Sequence, residues 1–493
     1  MNIYTTDKIR NVVLLGHGGS GKTSLVESMA YLAGITSRMG KVEDGNTVSD
    51  FGKEEQKRGI SISTSVIPIE WEGTKINLID TPGYFDFIGE VEEGISAADA
   101  AIIVVSGKAG VEAGTERAWE LCEKYKLPRM IYVTGMDADN ASFKNVVEKL
   151  TEMYGKKIAP FHFPIRENEK FVGYVNVISE TANRWQGKEV VDCEIPDYSK
   201  ENLSIYKDTL MEAVAETSEE FMDRYFGGET FTENEIRAAL RANINDGSIV
   251  PISMGSNPLC QGTYTLIDDI VKYLPSPENK QIAGFNMKTN EVFEANYDFS
   301  KVKSAYVFKT IVDPFIGKYS LIKVCSGVFK SDDVIYNKDK DVEEKVSKLY
   351  VLQGSKPIEV SELHAGDIGA IAKLTAARTG NTLSTKANVI EYGKFELSKP
   401  YTAMRYKVPN KNDIDKVAQA LQKLTHEDQT LKVVNDTENR QSLLYGIGEQ
   451  QLEIIQSRLA NEYKCEITLS KPKLQTHFVN FIEKYEAYYD QCH

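Results

Sequence analysis

The chain has 493 residues, 41% of them apolar and 26% charged, with a net charge of -14. That length is too great for one hydrophobic core and implies about three domains, while the acidic balance argues against bulk electrostatic attraction to nucleic acid and leaves only a local basic patch open. No stretch approaches the roughly 18 apolar residues of a membrane span, the N-terminus lacks a basic-then-apolar leader, and the six cysteines lie far apart with no Cys-x-x-Cys spacing, so a cytoplasmic location is expected.

In chain order, Asn11–Leu15 reads as a short apolar strand ended by glycine, and Thr23–Ala33 as a helix. Ser65–Trp71 and Thr74–Asp80 read as a hairpin around Glu72-Gly73, and Ala100–Val105 as a central strand apolar on both faces. Arg129–Val133 and Ile249–Ser253 are similar, with helical stretches near 112–126, 142–154 and 264–274. The alternation predicts a doubly wound α/β domain over 1–277. More polar sequence interrupts it at about 166–248: a strand-like Phe171–Val177, then a helical stretch from about 201 to 225. Leu274-Pro275-Ser276-Pro277 marks a linker. Residues 278–397 change to short strands, at 305–312, 319–326, 333–337, 344–352 and 368–372, and predict a small antiparallel β-barrel. Residues 398–471 read β-α-β-β-α-β, a split-βαβ, ferredoxin-like sandwich.

The chemistry lies early in the chain. Gly16-His17-Gly18-Gly19-Ser20-Gly21-Lys22-Thr23, with Ser24 behind it, fits the phosphate-binding loop pattern. Glycines let backbone N–H groups curl around phosphate oxygens, Lys22 offsets phosphate charge, and the Thr23 hydroxyl can ligate Mg²⁺. Asp80-Thr81-Pro82-Gly83 ends the next apolar strand. Its aspartate can hold a magnesium-bound water and the Gly83 amide can reach a γ-phosphate; the rival reading is a Pro-Gly turn. Asp137 follows the strand at 130–133 and can accept from the N1 and N2 donors of guanine, a pair that adenine lacks; the rival is an N-cap for the helix after it. Lys57-Arg58-Gly59-Ile60-Ser61 offers a second metal-ligating hydroxyl, and Gly255-Ser256-Asn257 a loop that can meet the base. His17 is read as lining the loop rather than as catalytic, Gly446–Glu449 as no nucleotide site, and Tyr485, Tyr488 and Tyr489 as a packing face.

The order and spacing of these motifs resemble the translational GTPases. The chain resembles bacterial elongation factor G, and more closely its elongation-factor-G-like paralogues, over roughly residues 8–485. The match rests on Gly16–Thr23, Arg58-Gly59-Ile60, Asp80–Gly83, Met136-Asp137, Leu274–Pro277, Asp313-Pro314-Phe315-Ile316-Gly317, Ser326-Gly327-Val328, Ala365–Ile368 and Tyr445–Leu452. The resemblance implies GTP and GDP as ligands, Mg²⁺ held by Thr23, Ser61 and Asp80, and a catalytic group of Lys22, Gly83 and Tyr84. The base would lie among Thr134, Met136, Asp137, Gly255, Ser256 and Asn257. The implied partner is the ribosome, its RNA and proteins at the factor-binding site, with the protein acting as a monomer and with no DNA or membrane partner.

Departures from the family pattern carry their own expectations. The histidine that closes the family's Asp-Thr-Pro-Gly-His is Tyr84 here, a bulkier phenol, so slow or differently activated hydrolysis is expected. The family's Asn-Lys-x-Asp is Thr134-Gly135-Met136-Asp137, which removes a bracing amide and a lysine stem and implies weaker guanine binding. Ser61 keeps the hydroxyl of the family's threonine. Residues 472–493 correspond to the start of a fourth domain that stops short, so tRNA–mRNA translocation is not expected of this polypeptide. Two alternatives stay open: a GTP-dependent ribosome-binding switch with little hydrolysis, and a release-factor-like GTPase. An ATP-dependent P-loop kinase is disfavoured by Asp80–Gly83 and Asp137.

Overall fold

The computed structural model describes residues 2–186, 189–313 and 317–473. The expected tyrosine face at 485–489, Pro314–Ile316 and most of the expected fourth-domain start lie outside them. The described chain forms two compact units, one of residues up to Tyr84 with Glu90–Phe395, the other of Phe85–Gly89 with residues from Glu396 on.

In the first unit, β1 (Ile9–Leu15) leads through the phosphate loop into α1 (Lys22–Leu32). Then follow α2 (Lys53–Arg58), β2 (Ser65–Trp71), β3 (Thr74–Asp80), α3 (Ile88–Ala97), β4 (Ala100–Ser106), α4 (Ala113–Lys124), β5 (Arg129–Thr134), α5 (Phe143–Tyr154) and β6 (Ile158–Pro160). After an insertion the sheet is completed by β11 (Val250–Met254), and α9 (Thr263–Tyr273) covers it. The strand order is β2-β3-β1-β4-β5-β11-β6. Only β2 runs antiparallel to its neighbour, in the predicted hairpin. Central β4 is buried from Ala100 to Val105, which is why it reads as an unbroken apolar run. Because β1 lies between β3 and β4, the chain crosses to opposite sides on leaving it, and the loop after β1 falls at the switch point of the sheet, where α/β folds bind ligands.

The insertion begins a few residues before the predicted boundary. β7 (His162–Glu167), β8 (Lys170–Asn176), β9 (Thr181–Gln186) and β10 (Glu189–Cys193) make a four-stranded antiparallel sheet in the order β10-β9-β8-β7. In place of one helical stretch over 201–225 there are α6 (Asp197–Ala215), α7 (Glu219–Phe226) and α8 (Glu233–Asp246). Ser218 caps α7 by accepting from the Phe221 amide, which ends α6 and starts a new helix, and Thr232 with Glu235 forms a capping box on α8.

The barrel-like part holds β12 (Ala283–Asn286), β13 (Glu291–Glu294), β14 (Ser304–Asp313), β15 (Gly317–Ser326), β16 (Val328–Lys330), β17 (Val334–Asn337) and β18 (Val342–Lys345). It continues with β19 (Leu349–Gln353), β20 (Lys356–Val360), β21 (Glu362–His364), β22 (Ile368–Ala372), β23 (Thr382–Ser384) and β24 (Ile390–Glu391). Eight of these form one antiparallel sheet, β18-β17-β23-β14-β15-β22-β19-β20, around Val307, Ile322, Phe329, Leu349 and Ile371. The single strand expected over 344–352 is two, β18 and β19, which pair with different neighbours.

A buried polar chain joins this sheet to the nucleotide-binding fold. Lys75 Nζ contacts both Asp367 oxygens at 2.7 and 2.8 Å, and Asn77 donates to Asp367 at 3.1 Å and to Asn11 at 2.8 Å. Asn11 donates to Asp99 at 2.7 Å, and Asp99 pairs with Lys323 of β15. Removing one member leaves another buried and unpaired, which is strongly destabilising.

In the second unit, β25 (Thr402–Lys407), α10 (Ile414–Glu427), β26 (Lys432–Asp436), β27 (Gln441–Gly446), α11 (Glu449–Asn461) and β28 (Thr468–Ser470) give an antiparallel sheet ordered β26-β27-β25-β28. This is the split-βαβ arrangement read from the sequence. Asp86, within this unit, accepts from the Gln450 amide in the first turn of α11 at 2.9 Å.

Candidate nucleotide-binding site

The phosphate loop has the backbone its glycines permit. Gly16, Gly19 and Gly21 take φ of 142°, 83° and 95°, where a side chain is strained. Gly21 is the N-cap of α1, so the helix directs its first amides at the loop. Lys22 folds back to donate to the Gly16 and His17 carbonyls at 3.0 and 2.9 Å. It is 5% exposed, and burial pulls its ammonium down to about 8. Ser20 is buried with no partner for its hydroxyl among the described residues, and Ser24 sits half-buried in the first turn of α1. His17 turns aside: its Nδ1 accepts from the Gly114 amide at 3.2 Å and its Nε2 lies 3.6 Å from Glu112.

The three expected metal ligands converge. The Thr23 and Ser61 hydroxyls are 2.9 Å apart. Asp80 is 2% exposed, burial pushes its carboxyl up, and neither of its oxygens has a hydrogen-bond partner among the described residues. Two hydroxyls beside a buried, unpartnered carboxylate are hard oxygen donors suited to Mg²⁺. Gly83 rests on the loop: a Cβ there would stand 2.5 Å from Lys22 Nζ and 2.7 Å from Gly18. Tyr84 is 41% exposed.

Three carboxylates organise this end of the site without having stood out in the sequence. Asp50, 5% exposed, lies close enough to Asp80 and Ser61 to feel both, and burial together with Asp80 and Glu55 pushes it up to about 8. Glu55 accepts from the amides of Ile62 and Ser63, both at 3.0 Å, and of Gly52 at 2.8 Å, clasping the segment on either side of Ser61. Glu27 of α1 accepts from the Gly40 and Val48 amides, both at 2.8 Å. Beyond them, Glu90 accepts from the Thr64 amide at 2.6 Å and pairs with Lys309 of β14.

At the other end, three loops are tied together. The Thr134 hydroxyl donates to the Ser20 carbonyl at 2.6 Å, and Asn257 Nδ2 donates to the Gly21 carbonyl at 3.0 Å. The Met136 amide donates to the Gly255 carbonyl at 3.1 Å, and the Gly255 amide to Val133 at 2.9 Å. Where the bracing amide is absent at 134, the threonine hydroxyl makes its own bond to the phosphate loop. Asp137 is exposed at the tip of this assembly, and the helix after it is capped by Ser142, which accepts from the Asn145 amide at 3.2 Å. The N-cap reading of Asp137 is thus set aside. Ser256 Oγ and Asn257 Oδ1 are buried without a partner among the described residues.

A glycine-cradled lysine after the first strand of a doubly wound sheet, with an aspartate ending the neighbouring strand, defines a P-loop nucleotide-binding protein. Comparison with known proteins carries this further. Residues 7–276 match the Elongation factor Tu GTP binding domain, 303–386 match Elongation factor G domain 2, and 397–471 match Elongation Factor G, domain III. A protein of Thermus thermophilus with a known crystal structure is 31% identical, with a TM-score of 0.85 over 95% of this chain and 68% of that one. The chain belongs to the elongation factor G family of translational GTPases. No helix among the described residues is long and apolar enough to cross a membrane.

Proposed function

We propose that this protein binds GTP with Mg²⁺, hydrolyses it to GDP and phosphate, and does so in the cytoplasm as a monomer on the ribosome, at the factor-binding site of RNA and protein. The observation that supports this most is the 2.9 Å approach of Thr23 and Ser61 beside the unpartnered carboxylate of Asp80. Bound there, Mg²⁺ would offset charge on the phosphates. Lys22 would neutralise the transferred phosphate, the Gly83 amide would sense its presence, and Tyr84 would stand nearest the attacking water. Gly16–Ser24 would cradle the phosphates. Asp137 would select guanine, with Thr134, Met136, Gly255, Ser256 and Asn257 framing the base. In domain terms, 1–277 would be the GTP-binding part, 278–397 the barrel, 398–471 the sandwich and 472–493 the start of a fourth domain.

The second reading, a GTP-dependent switch with little turnover, is supported by Tyr84, since a phenol is a poorer proton acceptor than an imidazole. Single-turnover GTP hydrolysis with and without ribosomes separates the two. Stimulation of at least about 10²-fold by ribosomes is expected. Binding to ribosomes in the GTP state without any stimulation sinks the enzyme reading in favour of the switch.

A further inference from the structure

Three of the four phosphate-loop glycines are accounted for by their backbone, since Gly16, Gly19 and Gly21 all have positive φ. Gly18 is not among them, so no left-handed backbone reserves the position for glycine. What crowds a side chain at 18 is the ring of Tyr84. A Cβ built on Gly18 would lie 3.0 Å from Cε2, 3.1 Å from Cζ and 3.3 Å from Cδ2 of the Tyr84 ring. These three atoms run along one edge of the ring, so the ring is laid against the bare Cα of Gly18. The neighbouring Gly83 packs on the same spot, where its own Cβ would come within 2.7 Å of Gly18 N and Cα. Tyr84 makes no hydrogen bond among the described residues, so its hydroxyl does not anchor it; the face of Gly18 does.

From this we infer that Gly18 is the positioning residue for Tyr84: a shelf without a side chain, matched to a bulky phenol that is seated over the phosphate end of the site. The inference rests on the proposed GTPase reading and deepens it. Beyond the backbone contact that its place in the phosphate loop would give it, Gly18 acts through Tyr84, and the two are energetically one unit. Contacts of 3.0–3.3 Å are tight enough that even alanine at 18 displaces the ring by a few tenths of an ångström, and valine displaces it further. Misplacement of a positioned group by such amounts is felt in the chemical step far more than in ground-state binding.

The test is a double-mutant cycle over Gly18→Val and Tyr84→Ala, with Gly18→Ala as the milder change should valine impair folding. Ribosome-stimulated single-turnover hydrolysis and the affinities for GTP and GDP are measured for each chain. The expected result is a loss of roughly ten-fold or more in hydrolysis from Gly18→Val when Tyr84 is present, and less than about two-fold when residue 84 is alanine. Any fall in GDP affinity, through the loop's own phosphate contacts, is expected to be the same in both backgrounds and smaller than the fall in rate. Equal losses in both backgrounds, or a fall in GDP affinity as large as the fall in rate, overturn the inference and make Gly18 a phosphate-loop residue only. In a chain that binds GTP without turning it over, the same cycle is decided on the ratio of GTP to GDP affinity: coupling supports the pair and additivity overturns it. If the wild-type chain binds no GTP, both the pair and the reading of the site fail.

Discussion

The two ends of the nucleotide site are built on opposite principles. The phosphate end gathers charge and leaves it unsettled: Lys22, Asp80 and Asp50 are each at most 5% exposed, and burial drives each toward its neutral form. At the base end Thr134, Asn257, Met136 and Gly255 each make a hydrogen bond that ties one loop to another, Ser256 Oγ and Asn257 Oδ1 stay buried without a partner among the described residues, and Asp137 is left in solvent. The difference teaches where each half draws its binding energy. The phosphate end gains most when a ligand supplies the missing countercharges. In the proposed reading the base end is held by these loop-to-loop bonds, and Asp137 would supply the selectivity. At 134 a threonine hydroxyl makes one loop-to-loop bond, whereas no neutral residue supplies the charge of Lys22.

The contrast can be broken by substitutions at each end. Lys22→Ala is expected to have the largest effect, with a loss of about 10²–10³-fold in hydrolysis and a clear loss of nucleotide affinity, read by single-turnover kinetics and calorimetry. A loss below ten-fold would mean the buried lysine is structural. Asp137→Ala removes hydrogen bonds to a charged acceptor, about 1.5–3 kcal/mol, so preference for GTP over ATP should fall by roughly 10–150-fold with phosphate contacts intact. Unchanged discrimination in competition binding would move the base elsewhere. Thr134→Val, nearly isosteric and without the donor, should weaken GTP and GDP alike by about two- to ten-fold, the worth of one neutral hydrogen bond. A GTP-selective effect would contradict its assignment to the base end.

The smallest effect is on stability, and it has a definite sign. Asp50 is raised to about 8 in the folded protein, against about 3.9 unfolded. Between those values the folded state holds a proton that the unfolded state has released, so stability is full below about pH 4 and falls as pH rises toward 8. Asp80 and Glu55 are raised too and act in the same direction. The nucleotide-free protein is therefore expected to lose thermal stability from pH 5 to 8 by way of these groups, and Asp50→Asn should flatten that slope. An unchanged slope in differential scanning calorimetry would remove Asp50 from the cluster.

Much of this was legible in the sequence because spacing alone carries it. Gly16, Gly21, Lys22 and Thr23 announce a phosphate loop, and an apolar run such as Ala100–Val105 announces a strand buried on both faces. What was not legible is what depends on distant or backbone partners. Glu27 and Glu55 look like any surface glutamate until their backbone amide partners are seen, and Lys309 meets Glu90 across 219 residues. The hairpin of β9 and β10 is mostly half-buried or exposed, with too little apolar alternation to mark it as sheet. The division at 197–246 into three helices turns on caps at Ser218 and Thr232 that a periodicity reading over 201–225 runs past. The hydroxyl of Thr134 was read as the loss of an amide because its value lies in reaching the Ser20 carbonyl, which only the folded loop reveals.

The most direct test of the whole account is calorimetric binding of GTP, GDP and ATP to the purified chain in the presence of Mg²⁺. The account predicts that both guanine nucleotides bind, and that ATP binds at least about ten-fold more weakly than GTP. Equal affinity for GTP and ATP would contradict it, because it would leave Asp137 without a role and the site without a base to select.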